Sequence, residues 1–408
     1  MPRGSFRKKF EITRGFFLTI VLVINSLTWL FMERRNILGF LTEFNVSKQE
    51  NLIIWGTWDL AIIISGIVGA IFLGKIRRVT VLYFWMILGI IASILTFFLP
   101  YLPLHFAFLA PLFWGISFGL GMPSCLAYFS DQTTFENRGS ISGLIFFMAS
   151  GATPLIIMVS GISFTFSSLA SVIWRALGLA ILILLRPKEV SSGEKKQPTF
   201  KSILVDRQVL LYLVPWFMFS FIYGFQKVTL EQTLQADFYD SLRMVQSVSA
   251  LISALLSGLI CDKIGRKRIV IYGFVSLGIA YAVVGIIHTD SSFPFYFYSV
   301  IDGIAWGIFI TMFVLTLWGD FSSLKMRNAE KYYAIGSIPF FFADFIGFAF
   351  APYMQIPISA AFSVASFFLF LAVVPLMYAP ETLPEKKIRE REVKEYVEKA
   401  KRIKEKYA

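Results

Sequence analysis

The sequence predicts an all-α membrane protein of twelve transmembrane helices, built as two six-helix bundles related by a pseudo-two-fold axis. Three observations carry this reading: an apolar composition, the spacing of the apolar runs, and an internal repeat. Of 408 residues 56% are hydrophobic, 17% aromatic and only 16% charged, with 44 phenylalanines. Soluble domains hold roughly 45–50% apolar residues, so many of these side chains must face lipid.

A window of about 19 residues marks runs at 15–33, 52–73, 80–99, 104–130, 141–161, 165–185, 208–228, 243–261, 269–287, 293–318, 332–352 and 356–379. The first follows Arg3, Arg7, Lys8 and Lys9, carries Asn25, Ser26 and Thr28, and has no small-residue cleavage site behind it. It reads as an uncleaved span. The second and third are parted by Lys75, Arg77 and Arg78, the fourth and fifth by 131–140, and the sixth carries Arg175 and stops at Arg186. A polar stretch, 186–207, with Ser191-Ser192-Gly193 inside it, splits the runs into two groups of six. In the second group the turn Asp262 to Arg268 parts the eighth and ninth runs, the tenth carries Asp302 and the eleventh Asp344. The expected organisation is a bundle at 1–185, a linker at 186–207, a bundle at 208–379 and a tail at 380–408. In that tail Glu390–Lys394, Glu395–Lys399 and Glu398–Arg402 stand at i,i+4, as in an amphipathic helix.

A net charge of +12 raises nucleic acid as a partner, but the basic residues lie between apolar runs instead of on a polar domain. With the N-terminus inside, 32 of 38 Lys and Arg fall on the cytoplasmic side, and the outer side holds only Arg34, Arg35, Lys48, Lys227 and Arg243. This asymmetry orients a multi-pass protein of the cell membrane with both termini cytoplasmic. Cys125 and Cys261 are the only cysteines, and His105 and His288 stand apart, so neither a disulfide framework nor metal-ligand spacing is present. No phosphate-binding Gly-x-x-x-x-Gly-Lys-[Ser/Thr] loop occurs. An enzyme, a cofactor, a metal and an obligate protein partner are all unexpected.

The halves repeat. Gly69, Arg77-Arg78 and Tyr83 match Gly258, Arg266-Lys267 and Tyr272 at an offset of 189. Trp114-Gly115-Ile116 matches Trp306-Gly307-Ile308 at 192, and Arg138, Gly143 and Pro187 match Lys331, Gly336 and Pro380 at 193. A duplication about an axis along the membrane normal accounts for one order and nearly one spacing.

The turn after the eighth run, Gly258, Asp262, Gly265, Arg266 and Lys267, resembles the signature of the major facilitator superfamily, and the resemblance extends over roughly 12–382. Phe135-Glu136-Asn137-Arg138-Gly139 is similar to that superfamily's acid and Arg-Gly pair after the fourth span. Pro380-Glu381-Thr382 resembles the sugar-porter ending. In the first half Leu73 replaces the signature aspartate and Ile76 the glycine, so a gating contact of that aspartate is not carried over. The fourth-span arginine of many proton antiporters and the Gly-Pro-x-x-Gly-Gly pattern of drug antiporters are absent, with only Gly151 and Pro154 nearby.

The resemblance implies a secondary transporter of a small organic solute, a sugar or other metabolite, working by alternating access in the lipid bilayer with protons as a candidate coupling ion. Multidrug or cation efflux, and a transporter-like sensor without flux, stay open. It also implies that the first and fourth helices of each half line a central cavity, which would hold Asn25, Trp29, Tyr223, Gln226 and Asp302. Ionisable groups within a span each require a reason. Asp302, Asp344 and Asp59 are therefore read either as solute or proton sites or as interhelical hydrogen-bonding groups, Asp302 with Trp306 as a partner and Asp59 within reach of outer water. Arg175 is read as pairing with an aspartate or snorkelling. By the same resemblance Asp262 with Arg266 forms a cytoplasmic latch, with Gly258, Gly265, Lys267, Glu136, Arg138 and Lys331 around it.

Overall fold

Backbone amides cannot find water inside hydrocarbon, so a chain this apolar must satisfy them within its own helices. The computed structural model describes residues 14–43, 47–102, 105–187, 197–287, 291–350 and 356–384, with 393 and 397 in the tail. Some side chains in these helices, Asp344's among them, lie outside the description, as do His288 and nearly all of the expected tail helix. Twelve long helices run through the described residues. They are α1 (Arg14–Glu43), α2 (Lys48–Phe72), α3 (Arg78–Phe98), α4 (His105–Gln132), α5 (Arg138–Ser160) and α6 (Phe164–Leu185). After a single-turn helix at Phe200–Leu204 come α7 (Arg207–Thr233), α8 (Ala236–Ile264), α9 (Arg266–Ile286), α10 (Phe293–Leu324), α11 (Glu330–Phe350) and α12 (Ile358–Tyr378). All but α11 are long and apolar enough, among the described residues, to cross a bilayer. The chain is a multi-span membrane protein.

Local chemistry sets the helix ends. Ser47 and Glu50 form a reciprocal capping box at the start of α2. Asp206 accepts from the Gln208 amide to start α7, and Ser163 accepts from Phe166 to start α6. Gly265 takes φ +105°, which an L side chain rarely adopts, and so permits the sharp turn from α8 into α9. Pro154 accompanies a break at Ala152 within α5, and α10 widens into a π-helical turn at Ile310–Thr316.

Several helices outrun their apolar cores. The expected first span ended at 33, yet α1 continues to Glu43, so Arg34 and Arg35 ride on a helix and Arg34 lies 5.1 Å from the Trp55 ring centroid. Likewise α8 begins at Ala236, seven residues before the apolar run. A 30-residue helix is about 45 Å long at 1.5 Å per residue, longer than a hydrocarbon core of about 30 Å. Hydropathy sees only the middle.

The two halves pack alike. In the first, α2 lies on α4, α3 on α4 and α6, and α1 on α6; in the second, α8 lies on α10, α9 on α10 and α12, and α7 on α12. Repeat-related glycines make these approaches possible. A Cβ on Gly115 would fall 2.7 Å from Trp58 O of α2, and one on Gly307 would fall 2.6 Å from Ala250 O of α8. The bundles meet where α2 packs on α11 and α5 on α8, two seams that the axis exchanges. At the second seam a Cβ on Gly258 would lie 2.9 Å from the Gly143 Cα. Gly258→Val is expected to force α5 from α8 and to destabilise by about 1–3 kcal/mol, as overpacking does. Thermal unfolding in detergent measures this, and an unchanged midpoint would show that the seam is not tightly packed.

Candidate functional site

Asp262 closes α8 and Arg266 opens α9, one helical turn apart across the Gly265 bend. Arg266 Nη2 stands 2.9 Å from Asp262 Oδ1. The Asp262 carboxylate also takes the first amides of α5, from Gly139 at 3.1 Å and Ser140 at 2.7 Å, together with the Ser140 hydroxyl at 2.5 Å. An acid of the second bundle thus caps the positive end of a helix of the first. Arg266 Nε reaches Asp320 of α10 at 3.1 Å, and Arg138, the first residue of α5, reaches the same carboxylate at 2.5 Å through Nη1. Asp320 and Arg266 are fully buried and Arg138 is 1% exposed. A carboxylate between two guanidiniums therefore ties the bundles together without water.

The other seam carries the same device with the signs reversed. Arg78, the first residue of α3, donates to Asp131 of α4 and to Glu330, the first residue of α11, at 2.6 Å through Nη2. Here a guanidinium sits between two carboxylates. Asp131 and Asp320 are related by the repeat offset of 189. By the same offset Leu73 stands at the place of Asp262 and Arg78 at that of Lys267, so at this seam the acid that crosses between the bundles is Glu330.

Residues after α12 support this buried cluster. The Glu381 carboxylate accepts from the Arg266 amide at 2.8 Å and the Lys267 amide at 3.1 Å, capping α9. Thr382 donates its hydroxyl to Asp320 at 3.0 Å, and Tyr212 of α7 donates to Pro380 O at 2.8 Å. The start of the expected tail is thus buried in the second bundle. Lys331 Nζ donates to Pro198 O at 2.9 Å and lies over the Phe200 ring, pinning the linker beneath α11. Glu136 lies half-buried in the turn before α5. Outside the spans, Lys325 pairs with Asp206, while burial and the nearby Arg327 pull its pKa below the usual lysine value.

In the middle of the molecule the expected cavity residues separate. Asn25 faces α6, donating to Trp174 O at 2.7 Å and accepting from Arg175 at 3.2 Å. Trp29 donates to Ser93 of α3 at 2.7 Å and lies under Arg175, whose guanidinium is 4.6 Å from its ring centroid and 4.3 Å from that of Trp85. Both belong to the interior of the first bundle and not to the space between bundles. Arg175 accordingly does not snorkel, and among the described residues it pairs with no aspartate; two indole faces and the Asn25 and Ser26 oxygens hold it. Glu33 of α1, one turn beyond Trp29, is buried with Ser93 at 2.5 Å and Thr96 at 3.4 Å. Sequence reasoning missed it because it fell at the end of the first apolar run.

In the second bundle Asp302 is fully buried and accepts from Gln246 of α8 at 2.5 Å. Trp306 is not its partner. The Trp306 ring meets Tyr223 at 4.5 Å, Phe219 at 5.1 Å and Phe340 at 6.2 Å, and Phe118 of α4 meets Phe341 of α11 at 6.3 Å across the bundles. Gln226 turns away from this aromatic middle and accepts from Tyr281 at 3.4 Å. Asp59 is buried on α2 instead of reaching outer water. Asp344 rides on α11, its side chain outside the description.

Removing the shared acid is expected to open the basic end. Asp320→Asn leaves Arg138 and Arg266 facing each other, a change of about 3–5 kcal/mol for a broken buried pair. Cys261, fully buried beside Asp262, should then react with maleimide in a Cys125→Ser background. Labelling as slow as in the parent would mean that the triad does not hold this end shut.

No protein-family profile and no curated sequence matches the chain. Solved structures do. The human organic anion transporter MFSD10 (TETRAN) is similar at 14% identity with a TM-score of 0.62, over 89% of this chain and 98% of that one. The proton:xylose symporter XylE, a major facilitator superfamily protein, is similar at 16% identity and TM-score 0.68, over 91% and 97%. An outward-facing bacterial homologue of the iron transporter ferroportin is similar at 14% identity and TM-score 0.69, over 90% and 98%. Across nine-tenths of its length the chain has the fold of the major facilitator superfamily.

Proposed function

We propose that the chain is a secondary transporter that moves a small organic solute, a sugar or other metabolite, across the cell membrane by alternating access. One observation carries this reading. The groups that close the basic end come half from each bundle, and Arg138, Asp320 and Arg266 are buried, so that end opens only if the bundles part as bodies. Rocking about a midplane site is the motion that such an arrangement supports. The solved structures of similar fold are those of an organic anion transporter, a proton:xylose symporter and a bacterial homologue of an iron transporter. The basic end is assigned to the cytoplasm, with both termini there, by the distribution of lysine and arginine.

For the solute, Tyr223 and Trp306 offer aromatic faces for stacking, and the indole Nε1 of Trp306 has no acceptor. Asp302 stands one turn from Trp306 on α10 with Oδ1 unbonded. We assign it the proton-coupling role, since a buried carboxylate adjoining a transport path is the expected relay. In liposomes with an imposed pH gradient and a panel of sugars, amino acids and organic cations, wild-type protein should accumulate one class of solute. Asp302→Asn should abolish gradient-driven accumulation while sparing solute exchange at equal pH. Accumulation that still follows the pH gradient in this variant would remove Asp302 from coupling, and no flux of any solute would favour a sensor.

A further inference from the structure

An apolar cavity of about 690 Å³ lies on the flank of the second bundle, between the halves of α7, α11 and α12 farther from the latch. That volume falls within the range of ligand sites, about 300–1,000 Å³. Phe217, Phe225, Phe342 and Ala361 are among its walls. At the rim Phe221, Val364 and Phe368 are 47%, 57% and 42% exposed, so access is from the bilayer and not from the space between bundles. Among the described residues a single polar side chain, Gln226, belongs to the lining. It is 3% exposed, its Oε1 accepts from Tyr281, and its Nε2 has no hydrogen-bond partner among them.

The first bundle shows what the same place looks like when filled. The offset of 193 that relates Pro187 to Pro380 relates Glu33 to Gln226, Ser167 to Ala360 and Ser171 to Val364. Glu33 meets Ser93 of α3 as Gln226 meets Tyr281 of α9. In the first bundle, however, Asn36 bonds to both Ser167 and Ser171 across the α1–α6 seam at 2.5 and 3.1 Å. The second bundle carries Ala360 and Val364 at those positions, and a groove stands there with an amide donor at its floor. In hydrocarbon no water satisfies that donor. Its complement is an oxygen acceptor carried by an otherwise apolar body.

We infer that this groove is a lipid site, which takes an acyl chain of a bilayer phospholipid and presents Gln226 Nε2 to its carbonyl oxygen. The inference stands independently of the transported solute.

The test uses the full chain reconstituted with phosphatidylcholine bearing a diazirine on its acyl chain, irradiated and mapped by mass spectrometry. Adducts should concentrate on 217–226 and 360–368 and fall severalfold in Ala361→Trp, or in the milder Ala361→Val, with labelling elsewhere unchanged. A diazirine alkane without a carbonyl should label the wild-type groove severalfold less than the phospholipid, and Gln226→Leu should erase that difference. Adducts spread evenly over the outer helices, or insensitive to both Ala361 variants, would overturn the site. Equal labelling by alkane and phospholipid in the wild type would overturn the part given to Gln226.

Discussion

A charge withdrawn from water must be answered by another charge or by a fixed dipole, and at the basic end of this protein the answering group belongs to the opposite bundle. Asp320 lies between Arg266 of its own half and Arg138 of the other, all but sealed from solvent. Desolvation makes such a cluster a poor source of net stability, yet breaking it is expensive because the survivors stay buried. Together the groups tie the bundles at this end; parted, they would leave charges that only water could answer.

The duplication accounts for one ion cluster at each seam, and the differences between the halves account for their form. Both seams carry an arginine at the start of a third helix and an aspartate near the end of a fourth, Arg78 with Asp131 and Arg266 with Asp320. The bridging residues are not repeat counterparts: Arg138 corresponds to Lys331 at the offset of 193, and Glu330, one residue earlier, takes the bridging place with the opposite sign. Arg138 opens α5 and Glu330 opens α11, so one triad is acid between bases and the other base between acids. Glu381 and Thr382 buttress only the first, by capping α9 and bonding to Asp320. The same divergence acts within the bundles, where the polar α1–α6 seam around Asn36 has become an apolar groove between α7 and α12.

Much of this was legible before any coordinates. Apolar runs long enough for a bilayer pointed to the helices, the offsets near 190 to the two bundles, and the Gly258 to Lys267 turn to the place of the buried cluster around Asp320. Asp131 and Asp320 were within reach too, since the offset joining Gly69 to Gly258 joins them, but both fall just beyond the fourth and tenth apolar runs, where the pattern of apolar residues says nothing of their contacts. Rotational phase was not legible. A soluble helix declares its buried face by period, whereas helices in lipid are apolar all round, and nothing in the sequence turned Asn25 and Trp29 toward α6 and α3. Arg175 was equally opaque, because its partners are the faces of Trp29 and Trp85 and not a carboxylate that charge counting could find.

The central claim is that the two buried triads hold the basic ends of the bundles together. Pulsed electron paramagnetic resonance between spin labels at Thr134, exposed before α5, and Met326, exposed after α10, measures that separation directly. In lipid, Arg78→Gln combined with Asp320→Asn should move the distance distribution to longer values by several ångströms relative to the parent. A distribution that does not move, in a variant that inserts and remains folded, would contradict the account.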